Sequence, residues 1–291
     1  MKFKVGDIVA RLSYNCDLLF RVQKISGDTV ELVGEEMRLW ADAPLNDLVL
    51  ISEEERTKRR EKALEKELNS YRLFRQDAKL MKERNEYEST SGYEAEATFF
   101  EMRGRVLHLD GDPLYLRKCT ELYERLGVPV YGVHVPEKEM PAQIGSLLEM
   151  VQPDILVVTG HDAFLKGKGD ENDLRSYRHT KQFAECVRIA RKHVAHRDEL
   201  VIFAGACQSH FETLIRAGAN FASSPERVNI HALDPVYIAA RVSLTSFMDR
   251  IGLWDVLRNT ITGEKGLGGI ETRGVMRRGM PTKQEYQPEE G

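Results

Sequence analysis

The sequence contains no long apolar run. No stretch reaches the ~18 residues that a membrane span needs, and Met1 to Asp7 carries no apolar core of a secretory signal. Both absences lead us to expect a cytoplasmic chain with no membrane partner. Cysteine is scarce: Cys16, Cys119, Cys186 and Cys207 are the only four in 291 residues, and none forms a CxxC pair. That spacing argues against a zinc ribbon and a thioredoxin-like redox site. In a reducing compartment all four are expected to be free thiols. The eight histidines include no HExxH and no ligand spacing, and no Walker loop occurs, so we expect neither metal nor cofactor. Charge of one sign is not in excess either. The 42 basic and 46 acidic residues leave a net charge of -4, which gives no reason to expect nucleic acid as a partner.

Three regions follow one another along the chain. Residues 1–52 hold short β-rich runs such as Val5 to Ala10, Leu18 to Val22 and Thr29 to Val33, with Ser26-Gly27-Asp28 as a turn. Arg38 to Trp40 and Asp47 to Leu50 offer two more, and a small SH3-like or Tudor-like barrel fits. Residues 53–103 form a charged linker. Between Glu53 and Thr90 it lacks Gly and Pro, and Leu64, Leu68, Tyr71, Ala78 and Met81 recur at helical spacing. A solvated linker helix is the plain reading; a dimer seam or an inhibitory prop against the next domain stays open.

Residues 104–280 alternate strand and helix. Strands are read at 105–109, 128–135, 154–159 and 200–204, and helices at 113–126, 137–150, 173–194 and 210–217. Near-continuous apolar strands in βα alternation predict an open, mostly parallel sheet covered by helices on both faces. Residues 281–291 read as a polar tail.

Functional groups in such sheets gather beyond the carboxyl ends of the strands. Three loops meet that rule: Asp110-Gly-Asp112, Gly160-His161-Asp162 and Gly205-Ala206-Cys207-Gln208-Ser209. The last two share a form, an apolar strand ending in Gly and then His or Cys. If their strands are neighbours, both side chains emerge at one rim. An imidazole there would stabilise the Cys207 thiolate and later protonate a leaving amine. Backbone N–H groups of Asp162 and Cys207, with those at the following helix start, could hold an oxyanion. Taken singly, Cys207 reads as a small buried hydrophobe and His161 as a structural histidine; the shared placement favours a catalytic pair. The 46-residue separation resembles that of caspases, where a His lies about 50 residues before an Ala-Cys.

A wider resemblance rests on particular segments: residues 1–11, Val106 to Asp112, Thr159 to Ala163, Phe203 to Glu212, Arg216 to Pro225, Asn229 to Tyr237 and Lys265 to Gly274. They are similar to the YabG sporulation-specific peptidases of endospore formers, over nearly the whole chain. The resemblance implies a spore-associated cysteine endopeptidase on a caspase-like sheet, with His161 and Cys207 as the pair. It also implies cleavage after Arg and substrates among spore coat and cortex-related proteins. In the broader caspase-like group Gly usually follows the His; here Asp162 does. A non-catalytic coat scaffold is the rival reading.

Two carboxylates at Asp110 and Asp112 suit the guanidinium of an Arg substrate. A helix N-cap explains the same residues equally well; a phosphatase of the Asp-x-Asp type lacks the residues that should follow. Asp162 and Asp234 are the next candidates for that pocket. His231 and Asp234 lie in a later loop that could line the cleft, and Gly266 to Gly269 reads as a mobile loop. An Arg-directed peptidase could also cut itself at Arg56 to Arg60, the expected domain junction. The oligomeric state stays open.

Overall fold

The computed structural model describes residues 3–35, 37–90, 100–165 and 167–279; the polar tail expected at 281–291 lies outside them. Five strands open the chain: β1 (Ile8–Arg11), β2 (Phe20–Ser26), β3 (Thr29–Gly34), β4 (Trp40–Pro44) and β5 (Leu48–Leu50). They form one antiparallel sheet in the order β4-β3-β2-β1-β5. Alternate residues Phe20, Val22, Val30 and Leu32 point inward and are buried, as a half-buried sheet requires. α1 (Glu53–Thr90) follows. Its Phe74 is buried and packs at a tilt against Tyr237, with ring centroids 5.7 Å apart. Asp77 accepts from Asn259 at 2.7 Å and pairs with Arg258 at 2.8 Å. The helix therefore packs along the α/β region through Tyr71, Phe74 and Ala78. Leu64 and Leu68 of the expected stripe stay exposed.

The rest comprises β6 (Phe100–Met102), β7 (Val106–Asp110), α2 (Pro113–Leu126), β8 (Val130–His134), α3 (Met140–Val151) and β9 (Ile155–Thr159). Then come α4 (Thr180–His193), β10 (Val201–Ala204), α5 (Phe211–Ala217), β11 (Phe221–Ser223) and α6 (Asp234–Leu244). β12 (Arg250–Ile251), α7 (Leu253–Leu257), β13 (Leu267–Gly269), β14 (Thr272–Arg273) and β15 (Arg277–Gly279) complete it. The main sheet has the order β13-β11-β10-β9-β7-β8. All its pairs are parallel except β11 with β13. Side chains alternate across it. Ile155, Val157, Val201 and Phe203 face the side of α2 and α6, in a cluster that continues into the N-terminal sheet. Leu156, Val158, Ile202 and Ala204 face α3, α4 and α5. The mixed α/β architecture with helices on both faces is the expected one.

Three expected segments differ in ways that bear on the site or its sheet. The helix expected at 173–194 begins at Thr180, because Asp162 accepts the His179 N–H and the Thr180 hydroxyl and fixes the start there. The helix expected from Glu137 begins at Met140, since Glu137 turns toward His161. The run Gly266 to Gly269, expected as a mobile loop, supplies the antiparallel edge strand β13. A Cβ on Gly269 would collide with the Asn220 carbonyl and with Phe221 of the neighbouring strand, so close approach requires glycine there.

Candidate active site

β9 and β10 are sheet neighbours, paired from Ile155↔Val201 to Val158↔Ala204. His161 and Cys207 each lie three residues beyond that last pair, so equal lengths of chain carry both to one rim. Sharp turns bring them there. Gly205 has φ +111°, where a side chain would strain the backbone and strike Ser223 and Leu214. Ala206 N–H donates to Ser209 Oγ at 2.9 Å, and Ser223 Oγ donates to the Ala206 carbonyl at 2.7 Å. Cys207 is fully buried, and its Sγ lies 3.5 Å from the Ile230 carbonyl. Burial pushes the thiol up to about 12. α5 starts four residues later, at Phe211, and His210 accepts the Thr213 N–H as its cap. His210 is thus a cap here, and that helix start is already engaged.

His161 sits between two carboxylates. Its Nδ1 is 3.1 Å from Glu137 Oε1, which also accepts the His161 backbone N–H at 2.7 Å. Its Nε2 is 3.4 Å from Asp112 Oδ2. The Trp40 ring meets the imidazole edge-on, with centroids 5.8 Å apart. Burial opposes protonation, but the two carboxylates outweigh it and raise the imidazole to about 9. At neutral pH this histidine is an imidazolium, clamped at both nitrogens.

The four acidic candidates serve different ends. Asp112 caps α2, accepting from Leu114 N at 2.7 Å and Tyr115 N at 3.1 Å, and offers its other oxygen to His161. Asp110 is fully buried and pairs at 2.6 Å with Arg38, which lies between β3 and β4. Arg38 also donates to the Ala232 carbonyl at 2.8 Å and contacts Cys119 Sγ at 3.2 Å. His108, Asp110 and Cys119 bring three possible metal-ligand atoms together, but the Arg38 guanidinium already supplies the cation there. Asp162 accepts from Ala163 N, His179 N, Thr180 Oγ1 and, at 2.8 Å, Ser209 Oγ. It ties the histidine loop to the cysteine loop and to α4. Asp234 accepts from His231 N at 3.0 Å and Ile261 N at 2.7 Å, bracing the 229–234 loop. His231 itself faces Glu67 of α1 at 3.3 Å.

Two residues of the site are absent from the sequence-based expectation. Glu137 lies just beyond β8, so the strand-end rule that selected the other loops applies to it too. Arg38 carries no local signal, since its partner Asp110 is 72 residues away. The Arg56 to Arg60 stretch lies in the first turns of α1. Arg56 there binds Glu35 at 2.8 Å, and Arg59 binds the Cys16 carbonyl at 2.7 Å.

Comparison with known proteins gives a concordant result. A profile described as YabG peptidase U57 matches residues 4–281. The Sporulation-specific protease YabG of Bacillus subtilis (strain 168) is 57% identical over 288 residues, covering 97% of this chain and 99% of that protein. No solved structure matches the chain. None of the described helices is long and apolar enough to cross a membrane. With a match spanning nearly its whole length, the chain belongs to the YabG peptidase family.

Proposed function

We propose that the chain is a cysteine endopeptidase of sporulation that cleaves after arginine, with Cys207 as nucleophile and His161 as its acid–base partner. The observation that carries this reading is the shared strand-end placement of the two residues on neighbouring parallel strands. Once exposed, the Cys207 thiol gives its proton to solvent, and the thiolate, beside the His161 imidazolium, attacks the scissile carbonyl carbon and forms a thioester as the C–N bond breaks. The His161 imidazolium gives its proton to the departing amine. Water, relieved of a proton by the now neutral imidazole, then hydrolyses the thioester, releases the carboxylic acid and restores the thiolate–imidazolium pair. Glu137, bound to Nδ1, positions the ring and fixes its tautomer. Backbone N–H groups of Asp162 and Cys207 are the oxyanion donors.

The resting geometry is not yet the reacting one. Cys207 faces the Ile230 carbonyl, and His161 Nε2 faces Asp112. Exposure of the thiol to solvent and substrate removes the burial that holds it protonated. Substrates among spore coat and cortex-related proteins fit the family's restriction to sporulation.

Labelling with an arginyl peptide that carries a thiol-directed electrophile tests the assignment. Mass spectrometry should place the adduct on Cys207 well before Cys16, Cys119 or Cys186. Equal labelling of all four, with no peptide cleavage, would favour a coat scaffold instead.

A further inference from the structure

We propose that the Met37 to Trp40 segment is a built-in occupant of the substrate cleft, with Arg38 filling the pocket that receives a substrate's arginine. This rests on the peptidase reading above and names the specificity pocket and a latent state of the same site.

The segment is held in the cleft by backbone bridges and by its arginine. Its backbone runs between two loops of the peptidase domain, bridged at Met37↔His231 on one side and Leu39↔Asp162 on the other, and turns tightly at Arg38, where the Leu39 N–H donates to the Met37 carbonyl at 2.7 Å. One of those loops contains His161, and the other sets the Ile230 carbonyl 3.5 Å from Cys207 Sγ. The Arg38 side chain is only 1% exposed and Asp110 0%. Its guanidinium meets a carboxylate at 2.6 Å, a main-chain carbonyl at 2.8 Å and the face of Tyr115, whose centroid is 5.2 Å away. A carboxylate floor, a carbonyl and an aromatic wall together make a guanidinium receptor. Trp40, two residues on, packs against the His161 ring.

Space remains on both sides of the segment. A cavity of ≈ 640 Å³ lies at Met37, His231 and Thr262. Another of ≈ 500 Å³ lies beside Leu39, Trp40, Ala163 and Gln208. A peptide chain displacing the segment would find room before and after its arginine.

A buried ion pair could serve merely to anchor the N-terminal domain. Two features go beyond anchoring: the backbone bridges on both sides and the Trp40 contact with His161. An internal occupant lowers apparent affinity for peptides by the fraction of molecules in which the pocket is free.

The test uses the full chain, as wild type and as Arg38→Gly, with N-acetyl-arginine amide as probe. The probe should raise the melting temperature of Arg38→Gly and leave the wild type unmoved; the added change Asp110→Asn should abolish the shift. Arg38→Gly should also hydrolyse an arginyl peptide amide with kcat/KM raised by about tenfold or more. Should the glycine variant not fold, Arg38→Lys keeps a cation beside Asp110 but loses the fork, and the probe should still stabilise it. No probe-dependent shift in any folded Arg38 variant overturns the proposal, as does equal arginyl turnover in variant and wild type. A shift without hydrolysis, and without Cys207 labelling, would keep the guanidinium pocket and remove the peptidase reading.

Discussion

Asp110 and Asp162 stand at or just beyond the ends of adjacent strands in one sheet, and both are completely buried. They titrate in opposite directions. The Arg38 guanidinium, backed by His108 and the Asp112 N–H, outweighs burial and holds Asp110 down to about 2. Asp162 meets four hydrogen-bond donors but no cation, and burial keeps its carboxyl above the ordinary range. Hydrogen bonds satisfy a buried carboxylate; a counter-charge makes it a strong anion. One aspartate is therefore equipped to recognise a cation, while the other is a structural tie.

The largest effect expected from that contrast is on stability at neutral pH. Asp110→Ala strands the Arg38 charge, and breaking a buried pair in this way costs about 3–5 kcal/mol. Asp162→Asn keeps one acceptor and leaves rotatable hydroxyls to adjust, so it should cost about 1–3 kcal/mol. Urea unfolding of both variants measures this, and a larger loss at position 162 would break the comparison.

pH sharpens it. A folded carboxyl held low contributes stability that is present above about 4 and lost as pH falls through about 2. A carboxyl held high contributes most below its ordinary value and loses that contribution as pH rises. The penalty of Asp110→Asn should therefore shrink between pH 7 and pH 3, while that of Asp162→Asn grows. Parallel changes in the two variants would show that Arg38 does not set them apart. His161 follows the opposite rule to Asp110. Raised to about 9 by its two carboxylates, it contributes fully below its ordinary value and loses that contribution as pH rises through 9. Glu137→Gln should move this alkaline loss to lower pH.

A smaller effect concerns the chain's own arginines. Arg38 lies outside regular secondary structure and is seated in a pocket, whereas Arg56 to Arg60 are wound into α1, with Arg56 and Arg59 paired to carboxylates. Self-cleavage is expected to yield a fragment beginning at Leu39, found by mass spectrometry of the wild type and missing from Cys207→Ala. Fragments beginning between Thr57 and Glu61 would show that the helix start opens more readily than the cleft segment.

Much of this was legible in the sequence. The apolar strands 154–159 and 200–204 announced a parallel sheet, and their Gly endings marked the loops of His161 and Cys207. The cap at Asp112 was readable from its place before Pro113. What was hidden depends on distant or inward-facing partners. A carboxylate in a loop looks the same whether it faces substrate or, like Asp162, folds onto Thr180 and Ser209. Arg38 gains meaning only once a strand end 72 residues later lies beneath it. α6 is buried nearly throughout, so its sequence shows little amphipathic periodicity to announce a helix.

Cys207 and His161 are proposed to act as one catalytic unit. Hydrolysis of an arginyl peptide amide by Cys207→Ala and His161→Ala tests it most directly, in both wild-type and Arg38→Gly backgrounds, with circular dichroism to verify folding. Residues that act as a unit are non-additive, so each variant should lose about as much turnover as the double variant, on the order of 10³-fold or more. Near-normal turnover in either folded single variant would contradict the account.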